Sequence, residues 1–349
     1  MNSFFLSEND ESLIKSIGFL RFIFLTYAIS YYLLLSDNKI LKIWTLFFLI
    51  VSFDIIFEYS FGKNIFGLQS EYPGRISGFT GDELKIGGYY FGFIFLCLIF
   101  VKHYKKNLFL IFAIIFFIIS LLIGERSNFI KIFIMYFLYF MFFYENSFIK
   151  KFIIVTFFAL LSFLIVLSVP NLKNKFTNHI IEKETIKKFQ KDGEELNYKK
   201  IISGNRHLSH YYVATNIFKE NILFGSGFKS FRVKSYDKKY QGNKIYGAST
   251  HPHQFHFEIL SELGLIGYIL ILSNLIYVLF NKSNFRYDLK RTGALLFIIA
   301  SLVPILPSGS FFTSYGATIF FINYAFLIRP NDLNDIKNKS GQSYVVNSR

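Results

Sequence analysis

The sequence predicts an all-α polytopic integral membrane protein of about nine transmembrane helices with one large extracytoplasmic helical loop. Three observations predict it. The chain of 349 residues is 52% hydrophobic with a mean hydropathy of +0.38, leaving too little polar surface to cover a soluble core of that size. Apolar stretches close to the roughly 20 residues that cross a bilayer recur along it. Basic residues gather in alternate connections between those stretches, as the positive-inside rule requires of a multi-pass chain.

The stretches are 17–36, 40–60, 87–101, 107–123, 127–144, 149–169, 256–281, 292–308 and 311–328. Lys39 and Lys42 mark one turn, Lys102, Lys105 and Lys106 the next but one, then Lys150 and Lys151, then Lys282, Arg286, Lys290 and Arg291. These turns alternate, so they share one side, the cytoplasm. The acidic start of the chain (Glu8, Asp10, Glu11) then lies outside, and the tail 329–349 inside. The expected organisation is membrane helices over 1–169 with an outer loop at 61–86, a periplasmic loop at 170–255, and membrane helices over 256–328. The long loop exceeds what a connection needs and is expected to be functional. Its part 182–200 mixes Lys and Glu at helical spacing, as in a soluble helix with ion pairs. Its part from Asn205 to Phe231 interleaves aromatic and basic residues, as at a membrane surface.

Composition also excludes classes. A net charge of +15 would suit nucleic acid, but no zinc-finger, RRM or helix-turn-helix pattern accompanies it. In a membrane chain the same charge fixes topology and touches anionic lipid. The 47 Phe and 23 Tyr fit lipid-facing packing, and the single Cys97 excludes intramolecular disulfides and cysteine-based metal sites. No cleavable signal-peptide pattern opens the chain.

Polar groups that break the membrane rules mark candidate function. Four groups do so, all on the expected outer side. The first is His251-Pro252-His253-Gln254-Phe255-His256-Phe257-Glu258, continuing to Glu262, Gly264 and Gly267. Pro252 suits a first helical turn, so a helix is expected from about His251. That places His253 at the positive end of the dipole, where a neutral imidazole, competent as a base, is favoured. On a continuous helix His253 and Gly264 fall about 20° apart, and a glycine stripe beneath the histidine admits a neighbouring helix or lipid tail. The three histidines also read as an interfacial cluster without chemistry, or as metal ligands, though Pro252 and the lack of carboxylate partners argue against a metal. The second group is Arg206, in Ser203-Gly204-Asn205-Arg206, followed by Asn221–Phe228 with its Gly225-Ser226-Gly227 turn. The third is Arg126 in the turn Gly124-Glu125-Arg126, which equally suits a side chain reaching the headgroups. The fourth is Gly74–Gly88, with Arg75 and Glu83, either a substrate-facing element or a connector.

Together these pieces resemble the O-antigen ligase and O-antigen polymerase superfamily. His253-Gln254, nine residues, then Gly264-Leu265-Ile266-Gly267 resembles the ligase signature at the end of the large periplasmic loop. Asn221–Gly227, Ser203–Arg206, Arg126 and Arg75–Gly88 resemble further elements of that family. The likeness spans most of 74–328 and is diagnostic over 200–270. About twelve spans are usual in the family against about nine here, so a reduced variant, a truncated gene or a misplaced start is the expectation for the N-terminus.

The resemblance implies a GT-C-like membrane glycosyltransferase of the bacterial inner membrane with its site on the periplasmic face. It implies inverting, metal-independent transfer, with no cofactor, from an undecaprenyl-diphosphate-linked glycan. The acceptor would be lipid A core for a ligase, or a lipid-linked glycan for a polymerase. Arg126 and Arg206 would clamp the diphosphate and His253 would act as general base, with Arg75, Glu83, His251, Gln254, His256, Glu258, Gly264 and Gly267 around the substrate. The spacing after His253 tilts toward the ligase. A lipid-linked oligosaccharide transporter is the alternative of a different class, and inverted repeats or mid-membrane polar residues would mark it.

Overall fold

The computed structural model describes residues 10–83, 85–177, 204–242, 246–281 and 289–329, and every regular element in them is a helix. In chain order these are α1 (Asp10–Phe19), α2 (Arg21–Phe61), α3 (Ile86–Tyr104), α4 (Phe109–Leu122), α5 (Arg126–Leu138), α6 (Phe148–Ser168) and α7 (Pro170–Thr177). There follow α8 (Arg206–Glu220), α9 (Phe231–Lys234), α10 (Lys238–Gln241), α11 (Phe255–Asn281), α12 (Leu289–Ser301) and α13 (Ser314–Ile328). The expected helix at 182–200 lies outside the described residues.

Six described segments are long and apolar enough to cross a membrane: Leu13–Leu33, Lys39–Phe61, Ile86–Tyr104, Arg126–Phe143, Phe148–Ser168 and Phe255–Leu279. Lys106–Leu122 and Ser314–Ile328 are apolar but shorter. The chain is therefore a polytopic helical membrane protein. Two of the segments belong to α2, which cannot be one straight rod. Arg21 donates to Ser314 Oγ at 2.6 Å, while Glu58 accepts from the Ser77 and Gly78 amides at 2.9 and 2.7 Å. Ser314 and Gly78 are themselves neighbours, because the Tyr315 hydroxyl donates to Lys85 O. A straight helix would part Arg21 from Glu58 by about 55 Å. The chain therefore reverses direction within α2, between the spans Leu13–Leu33 and Lys39–Phe61.

Central α3 touches α2, α4, α5, α12 and α13, and Tyr90, Ile94 and Leu98 on it are fully buried. Glycine allows the closest approaches: Gly92 faces Ile319, and Gly293 lies on the Phe95 backbone. Elsewhere aromatic rings fill the interior, as where Tyr136 and Phe117 meet Phe158. The bundle has two unlike ends. Lys102, Lys151 and the start of α12 lie at one, with Lys102 Nζ on the Tyr139 hydroxyl at 2.8 Å and Lys151 Nζ on Met141 O at 3.2 Å. At the other end lie 62–83, the 123–125 turn, α7, residues 204–242 and 246–254, and the segment 302–313.

That last segment corrects an expected span. The apolar run 292–308 stops being helical at Ser301, because Pro304 and Pro307 lack amide donors and clash with a preceding turn. Residues 302–313 instead form an irregular strap between α12 and α13, with Ile305 at φ 71°.

The two ends make a direct prediction. In intact membranes, an impermeant maleimide will label Tyr72→Cys and Lys105→Cys, both at exposed positions, from opposite sides, while buried Cys97 stays silent. Labelling of both from the same side contradicts this arrangement.

Candidate active site

The loop-bearing end is organised by α11. The expectation that this helix starts near His251 is corrected: it starts at Phe255, and His253 precedes it at φ 59°. Gln254 Oε1 supplies the cap, accepting from the His256 and Phe257 amides at 2.7 and 3.1 Å. The expected continuous glycine stripe is corrected as well. Gly264 sits at φ 68°, ψ −171°, breaking the helical path. The break admits the chain's own Asn221–Gly227 loop. Leu265 N and Ile266 N donate to Ile222 O and Leu223 O at 2.8 and 3.1 Å, while Ser226 N and Gly227 N donate to Ser261 O and Glu262 O at 3.0 and 2.9 Å. A Cβ on Gly264 would overlap Gly225 N and Leu223 O, so only glycine fits both the dihedral and the space.

The strap 302–313 is suspended from side chains of three helices. His256 Nε2 contacts Leu302 O at 2.8 Å, and its Nδ1 meets the Tyr268 hydroxyl at 3.0 Å. The Tyr211 hydroxyl donates to Ile305 O at 3.0 Å, and Lys131 Nζ to Pro307 O at 2.9 Å. Glu258, 1% exposed, accepts from the Ser310 hydroxyl and, at 2.7 Å, from Phe311 N. The strap in turn holds the histidine: Ser308 N donates to His253 O at 2.7 Å. Prolines leave carbonyls without helical partners, and these side chains satisfy them.

Four imidazoles meet there. The His253 ring lies 3.9 Å from that of His251, 5.1 Å from His210 and 5.5 Å from His207, centroid to centroid. Asn205 caps α8, accepting from Leu208 N at 3.0 Å, and the (i, i+3) pair His207 and His210 shares one face. Burial, then neighbouring imidazoles and Arg206, push His210 down to about 4. Burial, Arg232 and His207 push His251 to about 4. Burial and the three other rings push His253 to about 2. All three are neutral near pH 7, the form in which an imidazole accepts a proton. Arg206, exposed, lies over the Tyr246 ring at 5.3 Å.

A second group is cationic. Arg75 and Lys175 act on Glu125, and Arg75 and Arg126 on Lys175. Arg126 Nη1 donates to Lys175 O at 2.9 Å, and Asn128 Nδ2 to Glu125 Oε2 at 2.5 Å. Burial raises the Glu125 carboxyl, opposed first by Arg75. The backbone bond from Ile76 N to Ile123 O, 3.2 Å, ties the outer loop to this turn. Lys131, one and a half turns down α5, joins the two groups, because it faces Glu125 electrostatically and holds the strap carbonyl next to Ser308.

Residues 111–272 match the protein-family model described as O-antigen ligase. They form a domain of the O-antigen ligase and polymerase superfamily. Comparison with curated proteins and with solved structures gives no match.

The ligase-type domain contains both groups apart from Arg75. Of the residues singled out from sequence, the structure gathers His251, His253 and Arg206 at the imidazole group, and Arg75 and Arg126 at the cationic one. Gln254, His256 and Glu258 turn out to hold the cap and strap, with both ring nitrogens of His256 engaged. Gly264 holds the 221–227 loop. Glu83 pairs at the surface with Lys85. Sequence reasoning missed His207, His210, Lys131 and Lys175. The signal for Lys131 was present, since a lysine inside an apolar span is itself a functional flag.

Two outcomes are expected of the ligase-type domain. Gly264→Ala will lower thermal stability by on the order of 3 kcal/mol, read from the melting temperature in detergent; an unchanged melting temperature contradicts the backbone docking. Between about pH 6.5 and about pH 4 unfolded imidazoles bind protons that the folded cluster refuses, so stability falls with pH across that window. His210→Gln will flatten the dependence, and an equal slope in the variant contradicts it.

Proposed function

We propose that this protein is an O-antigen ligase-like glycosyltransferase. It moves a glycan from an undecaprenyl-diphosphate carrier to a hydroxyl of lipid A core, on the periplasmic face of the bacterial inner membrane. In this reading the chain has about nine spans in a GT-C-like arrangement, and 170–255 is its periplasmic loop. One observation carries the reading: a neutral imidazole group with Arg206 beside it and a cationic group with Arg126 lie at one end of the bundle, both tied to the strap 302–313 through Ser308 and Pro307.

The chemistry follows from that pairing. Diphosphate is a good leaving group, so the protein has to hold its charge and deprotonate an acceptor. Arg126 and Arg206 hold the diphosphate, guanidinium being always charged and shaped for two-point contact with phosphate oxygens. Their charge stabilises the leaving diphosphate as it develops. His253 takes the proton of the acceptor hydroxyl, whose oxygen attacks the anomeric carbon opposite the diphosphate and inverts it. His251 and His210, also neutral, pack their rings against that of His253. Arg75 lies beside Arg126 and extends the cationic surface toward the outer loop. Metal and cofactor have no step in this scheme.

The test is deletion of the gene, with surface lipopolysaccharide resolved on a silver-stained gel. Ligase activity gives loss of all O-antigen bands and accumulation of polymer on the carrier; core bearing a single repeat identifies a polymerase instead. His253→Ala at normal abundance will not restore the pattern, and Arg126→Lys will restore on the order of a hundredth or less despite keeping its charge. Full restoration by either variant overturns its assigned role, and an unchanged gel on deletion overturns the reading.

A further inference from the structure

Lys175 brings a buried ammonium to the cationic group without a hydrogen bond or ion pair among the described residues. Its Nζ is out of contact with solvent and has no hydrogen-bond partner among the described residues. It stands 3.4 Å from where a Cβ on Gly124 would be, and its Cε 3.4 Å from the same point on Gly74. Both glycines have positive φ, 76° and 69°, and a side chain at either would fill the space that the ammonium faces. The backbone of Lys175 is fixed, because Arg126 Nη1 holds its carbonyl at 2.9 Å. No carboxylate among the described residues stands within ion-pair distance of the ammonium. A buried ammonium with three unused donors beside two guanidinium groups is costly alone, and an oxyanion relieves it.

We propose that Lys175 is a direct contact to the donor's diphosphate, a third cation beside Arg75 and Arg126. This rests on the donor assignment made above. Lys175 titrates in an accessible range. Burial first, then Arg75 and Arg126, lower it to about 8, with Glu125 opposing. A bound diphosphate favours the charged form and raises it again. Above about pH 8 the free protein has therefore lost this charge, and binding must take up a proton. Affinity falls as pH rises through that range, by up to about tenfold per pH unit.

The experiment measures binding of a short-chain prenyl-diphosphate monosaccharide, a diester whose two charges do not change over the range. It uses the full chain in phosphatidylcholine nanodiscs between about pH 7 and about pH 9.5. The groups facing Lys175 are Arg75 from the outer loop, Glu125 from the 123–125 turn and Arg126 from the start of α5; all are common to every variant, so differences isolate Lys175. Wild type is expected to lose about tenfold in affinity across the range, Lys175→Arg to stay flat, and Lys175→Met to start about tenfold weaker and stay flat. Lys175→Met binding as wild type does, with the same pH dependence, overturns the proposal and leaves the donor assignment standing. Failure of folded wild type to bind at any pH overturns both. Displacement of the probe by phosphatidylglycerol at equal affinity makes the site a lipid-headgroup site and overturns the proposal. If Lys175→Met does not fold, the profile of Lys175→Arg decides: flat supports the proposal, wild-type-like overturns it.

Discussion

The loop-bearing end of the molecule depends on two carboxylates buried four residues apart on α11. Carboxylates that deep are tolerated only when hydrogen bonds replace water. Glu258 finds its partners in the strap, at Ser310 and Phe311 N. Glu262, 2% exposed, finds one in the opposite loop, at Lys229 N, 2.5 Å away. One membrane helix thereby fixes a connection on each flank. The break at Gly264 completes the arrangement by letting the 221–227 loop add backbone hydrogen bonds to α11 just below Glu262.

From that anchorage the placement of His253 follows. A non-glycine residue at φ 59° costs free energy and persists where its surroundings hold it. The surroundings are specific: Ser308 N grips its carbonyl, and the strap that carries Ser308 hangs from Glu258, His256, Tyr211 and Lys131. Lys131 is the hinge of the account, since it touches the strap on one side and faces Glu125 beside Arg126 on the other. Imidazoles and cations are thus tied to one strap. In the proposed reaction that matters, because leaving group and base must be held at a fixed separation.

Hydropathy made the bundle legible, including the division of the 41-residue helix α2 between two spans. Candidate site positions stood out in the sequence where a rare residue occurs in an apolar setting, as at Arg126 and His253. The local geometry around them did not. Pro252 suggested a first helical turn, but the Gln254 side chain caps the amides and moves the start to Phe255. Gly264 and Gly267 suggested a smooth stripe, because wheel arguments assume an unbroken helix, whereas Gly264 is there to break it. His207 and His210 were hidden in a segment that read as interfacial, and only the fold brings α8 against His253. Pro304 and Pro307 hinted at a broken helix without revealing that its carbonyls are partners for distant side chains.

The central claim is that base and diphosphate site lie together at the loop-bearing end, both tied to the strap. The most direct measurement is a cryo-electron microscopy map of the full chain in nanodiscs with a non-transferable undecaprenyl-diphosphate glycan bound. The account predicts diphosphate density against Arg126, with the sugar directed to the His253 side of the Lys131–Pro307 contact. Density for the diphosphate at the Lys102–Lys151 end of the bundle, or with its sugar turned away from His253, would contradict it.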